Sequence, residues 1–136
     1  MSKPDLPTHS GRPTQALILF AHGARDPSWA APFEAMAALV RARQPAVRVA
    51  LAFLELMEPG LEAVVGAMAQ DAVTEIAIVP VFMAAGGHLK RDLPVLVEKA
   101  RAAHPGVTLR LHPPVGENLA VQAAIAQACA QALVSG

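Results

Sequence analysis

The chain has 136 residues, 54% of them hydrophobic, and its 11 basic and 11 acidic side chains give a formal net charge of zero. This length and composition fit one compact globular domain and exclude an intrinsically disordered protein. The balanced charge favours neither a nucleic-acid footprint nor attachment to an anionic membrane, so we expect no nucleic acid and no membrane among the partners.

The first fifteen residues are polar and contain three prolines. We predict a flexible tail over 1–15 and a single domain over 16–136. The tail lacks the apolar core of a signal peptide, and the longest apolar run, 76–87, is too short to cross a bilayer. The single cysteine, Cys129, cannot form an internal disulfide. These features predict a cytoplasmic protein.

Apolar runs alternate with amphipathic segments four times along the domain. The runs predict strands over 16–21, 47–54, 75–82 and 107–111. In the first three segments, apolar residues recur at the i, i+3, i+4, i+7 spacing of a helix. These stripes are Phe33, Met36, Ala37 and Val40; Leu61, Val64, Val65 and Met68; and Leu93, Leu96, Val97 and Ala100. The pattern predicts an α/β fold, a four-stranded parallel sheet with helices on both faces, and leaves the strand order open.

Several residues mark the expected helix starts and the last helix. Asp26 before Pro27 predicts an N-cap, Pro59 predicts the first turn of the second helix, and Asp92 with Pro94 predicts the start of the third. A final helix is predicted over 117–134. Its inward side chains are expected to be Val121, Ile125, Ala128, Cys129 and Ala132.

Polar side chains that can carry chemistry follow the apolar runs. His22 and Glu55 come directly after the first two runs, and His88 follows a glycine-bearing turn after the third. His112, at the end of the fourth, is a further candidate. Because the carboxyl ends of parallel strands lie at one edge of a sheet, we expect these side chains to meet in one cleft.

Two imidazoles and a carboxylate form a recognisable set for a transition metal such as cobalt, iron, nickel or zinc. A single histidine in such a place serves about as often to hold a turn, so the metal hypothesis depends on His22, His88 and Glu55 together. Arg25, Lys90 and Arg91 lie beside the histidines and suit an anionic ligand, although exposed basic side chains are often ordinary solvated surface.

Other motifs are absent from the sequence. The glycines at 86 and 87 do not fit the phosphate-binding GxGxxG or GxxxxGK[ST] patterns, so dependence on ATP or NAD is not expected. Ser28 lies outside a G-x-S-x-G turn and Cys129 lies among alanines, which disfavours covalent catalysis. His22 is preceded by Ala21, where histidine phosphatases need arginine.

Three motifs together resemble the class II chelatases of tetrapyrrole synthesis, in their small CbiX form. These are HGARDP at 22–27, FLELMEP at 53–59 and VPVFMAAGGHLKRDLP at 79–94. The likeness covers almost everything after the tail. Members of the family usually read HGSRDP, so Ala24 replaces a serine, which removes a hydroxyl but no ligand.

The resemblance implies a lyase that inserts a divalent metal, typically Co2+, into sirohydrochlorin without ATP or an organic cofactor. It implies that His22 and His88 bind the metal and act in catalysis, and that Glu55 assists them. Arg25, Lys90 and Arg91 would then meet the carboxylates of the substrate. It also implies a homodimer with the tetrapyrrole enclosed in the cleft, and it gives no counterpart for His112.

Three other functions fit the same residues. Insertion of Fe2+ for siroheme, or of Ni2+, would use the same ligand types, because affinity for such a site rises from iron through cobalt to nickel whatever the purpose. A non-catalytic carrier of metal or tetrapyrrole could use the same histidines, although it has no evident need of Glu55. A structural subunit would leave the histidines unused and would take up no metal.

Overall fold

The computed structural model describes residues 14–135. The first strand begins at Gln15, and the Thr14 carbonyl oxygen accepts a hydrogen bond from the Thr74 amide at 2.9 Å. The last two residues of the predicted tail therefore belong to the folded domain. The rest of that tail, 1–13, lies outside the described residues.

Four strands and four helices alternate along the chain. The strands are β1 (Gln15–Ala21), β2 (Arg48–Phe53), β3 (Glu75–Pro80) and β4 (Thr108–Leu111), and the helices are α1 (Ala31–Arg43), α2 (Leu61–Gln70), α3 (Gly87–Ala103) and α4 (Leu119–Ser135). All strand pairs are parallel, in the order β2-β1-β3-β4. The predicted α/β fold is confirmed. The strand order reverses between β1 and β3, where open parallel sheets bind their ligands.

The two faces of the sheet are covered unequally. On one face α2 and α3 pack over a core in which Ile18, Phe20, Ile76 and Ile78 are almost completely buried. On the other face α1 packs over β1 and β2 alone. The β3 and β4 part of this second face has no helix packed on it within residues 14–135.

Asp26 is an N-cap as predicted, but of a 3-10 turn and not of α1, which begins at Ala31 with Ala30 as its N-cap. Asp26 caps a short 3-10 turn, Pro27–Ala30, that leads into α1, and its side chain accepts a hydrogen bond from the Ser28 amide at 2.9 Å.

The predicted start of α2 is wrong. This helix begins at Leu61 with Gly60 as its N-cap, so Pro59 stands before it. The Pro59 carbonyl oxygen instead accepts a hydrogen bond from the Phe53 amide at 2.9 Å, and this bond holds the chain in the loop after β2.

The predicted start of α3 is also wrong. The helix begins at Gly87, so Asp92 and Pro94 lie inside it. Gly86 is the N-cap, and its carbonyl oxygen accepts a hydrogen bond from the Lys90 amide at 2.9 Å. Leu89 packs against the main core and stabilises the additional turns. A proline in the second or third turn costs one hydrogen bond, and that burial offsets the loss.

The inward face predicted for α4 is wrong. Every residue from Gln122 to Val134 is exposed, including Cys129, and Ile125 has 41% of its surface exposed. Among the described elements, α4 packs mainly on the short turn Val115–Glu117. The stripe is present in the sequence, but no surface among residues 14–135 covers it. None of the helices described has the length and apolar character that a membrane crossing requires.

Candidate functional site

The loops after β1 and β2 bring His22 and Glu55 together. The His22 Nε2 atom lies 3.4 Å from Glu55 Oε2, and the two side chains are 48% and 56% exposed. Because His22 follows β1, the pair stands beside the point where the strand order reverses. A base and a carboxylate open to solvent can accept a proton and pass it to water.

Backbone contacts fix this pair. The parallel pairing continues past the strands, since the Leu54 amide donates to the Ala21 carbonyl at 2.9 Å and the Glu55 amide donates to the His22 carbonyl at 3.1 Å. Gly23 has a φ of +98°, and a Cβ placed there would stand 1.8 Å from the Glu55 carbonyl oxygen. Only glycine fits this close approach. The sequence HG at 22–23 therefore places the imidazole against the carboxylate.

The loop after β3 forms the other boundary of the His22 ring. Phe82 meets the imidazole edge to face, with ring centroids 6.4 Å apart and an interplanar angle of 71°. The turn after β4 packs on this loop, because the Gly116 amide donates to the Phe82 carbonyl at 3.1 Å. A Cβ at Gly116 would lie 2.0 Å from the Met83 carbonyl oxygen. Three strand ends thus support one histidine.

A cleft of about 450 Å³ opens beside the His22–Glu55 pair. Its lining consists of His22, Leu54, Glu55, Leu89, Asp92, Val95, Leu96 and Lys99. Asp92 and Lys99 were not expected there, because the sequence pattern placed the start of α3 at Asp92. Once α3 begins at Gly87, the positions 89, 92, 96 and 99 follow the helical period and share one face. This spacing was the available signal.

The other predicted site residues are exposed and lie outside this lining. His88, Lys90 and Arg91 are on the first turns of α3, and Arg25 is in the loop after β1. His112 lines a separate groove with Val79 and the turn after β4. Across residues 14–135, no three His, Cys, Asp or Glu side chains come close enough to hold an ion. The meeting of His22 with His88 stays a prediction.

The three basic side chains of the predicted substrate site have no ion-pair partner among the described residues. The ion pairs there join Arg48 to Asp71, Arg101 to Glu98, and Arg110 to Glu75. Arg25, Lys90 and Arg91 take part in none of them. Three cationic groups near the carboxyl edge of the sheet are therefore available to an anionic ligand.

Comparison with known proteins identifies relatives over most of the chain. A sirohydrochlorin cobaltochelatase from Methanopyrus kandleri is 37% identical over 82 residues, which are 60% of this chain and 57% of that protein. A sirohydrochlorin ferrochelatase from Bacillus subtilis is 31% identical over 104 residues, 75% of this chain and 39% of that protein. The matched region thus spans little more than half of the first relative and less than half of the second.

A solved structure matches the whole domain. The crystal structure of a cobalamin (vitamin B12) biosynthesis CbiX protein from Marinobacter aquaeolei superposes with a TM-score of 0.81 at 35% identity, covering 90% of this chain and 99% of that one. The CbiX family model matches residues 16–132, which include both loops of the His22–Glu55 pair. The chain belongs to the CbiX family.

Proposed function

We propose that this protein inserts a divalent metal, with Co2+ as the first choice, into sirohydrochlorin. The observation that carries the proposal is the His22–Glu55 pair, held at 3.4 Å beside the reversal point of the sheet by Gly23. The membership of the CbiX family and the similarity to the cobaltochelatase of Methanopyrus kandleri support the same reaction.

The paired side chains suit the proton transfers of the reaction. A metal ion replaces two pyrrole protons of the macrocycle, so the site must accept protons near neutral pH. In the proposal the His22 nitrogen that holds the ion becomes free when the ion moves into the macrocycle. The neutral imidazole can then take a pyrrole proton, which Glu55 would pass to the solvent it faces. Neither phosphate energy nor a covalent intermediate is needed, because the binding energy of the macrocycle can favour a distorted ring with exposed nitrogen lone pairs.

We assign the incoming ion to His22 and His88. Imidazole nitrogen suits Co2+, Fe2+ and Ni2+. His88 is exposed on the first turn of α3, so its imidazole is open to an ion from solvent. The metal is a substrate of the reaction, so a site with few protein ligands serves it better than a closed cage, from which release would be slow.

The substrate would lie over the cleft. Leu89 and the exposed Val95 give it an apolar wall for the macrocycle. Arg25, Lys90 and Arg91 would bind its peripheral carboxylates. His22 and Glu55 are about half exposed in a single chain, so we also propose a homodimer in which a second copy closes the cleft. A single cysteine and the lack of a phosphate-binding motif are compatible with a cytoplasmic reaction that uses no organic cofactor.

An insertion assay tests the proposal. Purified protein is mixed with sirohydrochlorin and Co2+, and the absorbance change of the macrocycle is followed against the uncatalysed reaction. We expect His22→Ala and His88→Ala to lower the catalysed rate by a factor of about 100 or more. His112→Ala is the matched control, because it removes an imidazole at the same edge of the sheet from a different groove. Unchanged rates in both site variants, with circular dichroism intact, would refute the proposal.

Insertion of Fe2+ is the second candidate, because the Bacillus subtilis relative is a sirohydrochlorin ferrochelatase. The same assay run with Fe2+, Co2+ and Ni2+ separately ranks the metals by kcat/KM. If kcat/KM is highest with Fe2+, the protein is assigned to siroheme formation instead. Stoichiometric binding of metal or sirohydrochlorin with no catalysed insertion of any of the three metals would identify a carrier.

A further inference from the structure

The cleft beside the His22–Glu55 pair contains a basic side chain that the proposed function does not use. Among the described residues, Lys99 is the only lysine or arginine in the lining of this cleft. The three basic residues proposed above to bind the substrate lie outside that lining. The cation that the cleft itself contains therefore has no assigned ligand.

Lys99 belongs to the side of α3 that borders the cleft. Leu89, Asp92 and Leu96 precede it in the same lining. At 100° per residue, all three lie within about 80° of Lys99 around the helix axis. Lys90 stands nine positions before Lys99, about 180° away, and so lies on the opposite side of the helix. Helical side chains tilt toward the N-terminus, so the long stem of Lys99 covers the turn before it.

The charge of Lys99 is not neutralised by the chain. Glu55, in the same lining, pairs with His22. Glu98, the residue before Lys99, pairs with Arg101. The Lys99 ammonium has no ion pair and no hydrogen bond with another side chain in the described part of the chain. It is therefore available to an anion that enters the cleft.

The surface of α3 next to Lys99 is apolar. Val95 and Leu96 precede Lys99 by four and three positions, and residues at these spacings are neighbours on a helix surface. Val95 is 53% exposed although it is apolar. Leu89 continues the apolar lining toward the start of the helix. A ligand that complements this surface has a broad apolar body and a carboxylate at its edge.

We propose that Lys99 binds a peripheral carboxylate of sirohydrochlorin and so determines how the macrocycle is oriented in the cleft. The inference rests on the proposed function and adds a residue to substrate binding. Sirohydrochlorin has an apolar ring with acetate and propionate side chains. Leu89 and Lys99 are about 15 Å apart along the helix axis, a length that a tetrapyrrole with its side chains can span. With one carboxylate on Lys99 and the ring over Val95, the ring nitrogens can face His22.

Binding of sirohydrochlorin without metal tests this contact. The fluorescence of the macrocycle is followed as protein is added. Lys99→Met removes the charge and keeps the apolar stem, so we expect Kd to rise about tenfold. Lys99→Glu should raise Kd further, and Lys99→Arg, which keeps the charge, should stay within about twofold of wild type.

Arg43→Met is the matched control for this measurement. It removes one positive charge from an exposed side chain in the last turn of α1, which packs on the other face of the sheet. We expect its Kd to equal that of wild type. A Lys99→Met variant that binds as tightly as wild type, or a Lys99→Arg variant as weak as Lys99→Met, would overturn the proposal.

Two further measurements separate a contact with substrate from a structural role. The Kd of wild type should rise with salt, and that of Lys99→Met should rise less steeply because one exposed ion pair is missing. In the insertion assay, Lys99→Met should raise KM and leave kcat near wild type. A lower kcat at unchanged KM, or the same salt dependence in both proteins, would contradict the contact.

Cross-linking with a water-soluble carbodiimide identifies the bound residue directly. The reagent activates a carboxylate of bound sirohydrochlorin, the Lys99 amine attacks it, an amide forms, and the reagent leaves as a urea that carries the carboxylate oxygen. Trypsin then releases the peptide 92–101, in which Lys99 is the only lysine. We expect the mass of the macrocycle on this peptide in wild type and not in Lys99→Arg. A wild-type peptide without that mass would overturn the proposal.

The assay of metal insertion separates the two proposals. A protein that binds sirohydrochlorin through Lys99 and catalyses no insertion would refute the proposed function and leave the contact in place. A protein that catalyses insertion, and whose Lys99→Met variant binds sirohydrochlorin as tightly as wild type, would refute the contact and leave the function in place.

Discussion

The loop after β1 and the chain after β3 both carry a predicted metal-binding histidine, but the domain holds them differently. His22 is fixed by backbone hydrogen bonds to Glu55, by the close approach at Gly23 and by the edge of Phe82. His88 is exposed on the first turn of α3 and lies outside the lining of the cleft. The fold thus constrains the loop of His22 from several sides, whereas the His88 imidazole is open to solvent.

This difference fits a reaction in which the metal must leave the protein. A rigid His22–Glu55 pair keeps the proton acceptor in one geometry, which lowers the cost of ordering it during the reaction. In the proposed reaction, His88 on its exposed helix turn would contact the ion and then release it into the macrocycle. We therefore expect substitutions in the His22 loop to lower stability and activity more than substitutions at the start of α3.

The largest effect is expected for Gly23→Ala. The added Cβ would lie 1.8 Å from the Glu55 carbonyl oxygen at a φ of +98°, so the two loops must separate. We expect a loss of about 3 kcal/mol in the free energy of unfolding, measured with the fluorescence of Trp29, and no detectable metal insertion. Gly87→Ala is the matched control at the second region, where a Cβ would meet nothing within 4 Å. Equal stability of the two variants would contradict the comparison.

The next effect is expected for Glu55→Gln. The amide keeps the size of the side chain and cannot take a proton from His22, so we expect kcat to fall by a factor of about 100 with the melting temperature unchanged. Asp92→Asn is the control, since Asp92 lines the same cleft and the carboxylate paired with His22 is that of Glu55. If Asp92→Asn lowers kcat as much as Glu55→Gln does, Glu55 is not the specific carboxylate that passes the proton to solvent.

Sequence patterns predict the parts of this fold that depend on local burial. The stripe Leu61, Val64, Val65 and Met68 is buried as the helical spacing predicts, and β1 ends at Ala21 before His22. The approach of His22 to Glu55 follows from the rule that parallel strands end at one edge, although the two residues are 33 positions apart in the sequence. The spacing of apolar residues thus predicts which side chains of an element are buried.

The errors have two physical origins: an apolar pattern does not show which surface covers it, and residues favoured at helix starts also occur inside helices. The apolar stripe of α4 predicts burial, but the helix is exposed because no surface among residues 14–135 covers it. Proline and aspartate are allowed at the start of a helix without being confined to it, so Pro94 misplaced the start of α3. For the same reason Asp92 and Lys99 were not predicted in the lining of the cleft, which they share with Leu89 on one face of a helix that begins at Gly87.

A smaller effect is expected from the basic side chains near His88. Lys90→Ala and Arg91→Ala should each raise KM for sirohydrochlorin about tenfold, the loss of one charge-assisted contact, while kcat stays near wild type. KM of the wild type should rise with salt, since these side chains are exposed. Arg43→Ala, an exposed arginine in the last turn of α1, is the control for net charge. A fall in kcat with unchanged KM would remove both residues from substrate binding.

The smallest effect is expected for Asp26, which caps the turn after the His22 loop. Hydrogen bonds from the Ser28 amide and hydroxyl, at 2.9 and 2.8 Å, favour the ionised carboxylate and hold the pKa of Asp26 below its ordinary value of 3.8. A lowered pKa in the folded state stabilises the protein above the unfolded value, and the contribution is lost as the pH falls through the folded value. Asp26→Ala should therefore melt slightly below wild type at pH 7, and the gap should narrow as the pH falls below 3.8. Asp26→Asn keeps a capping oxygen and cannot titrate, so its melting temperature should depend less on pH in this range than that of wild type. A gap between Asp26→Ala and wild type that stays constant from pH 7 into acid would show that the charge of Asp26 contributes nothing to the cap.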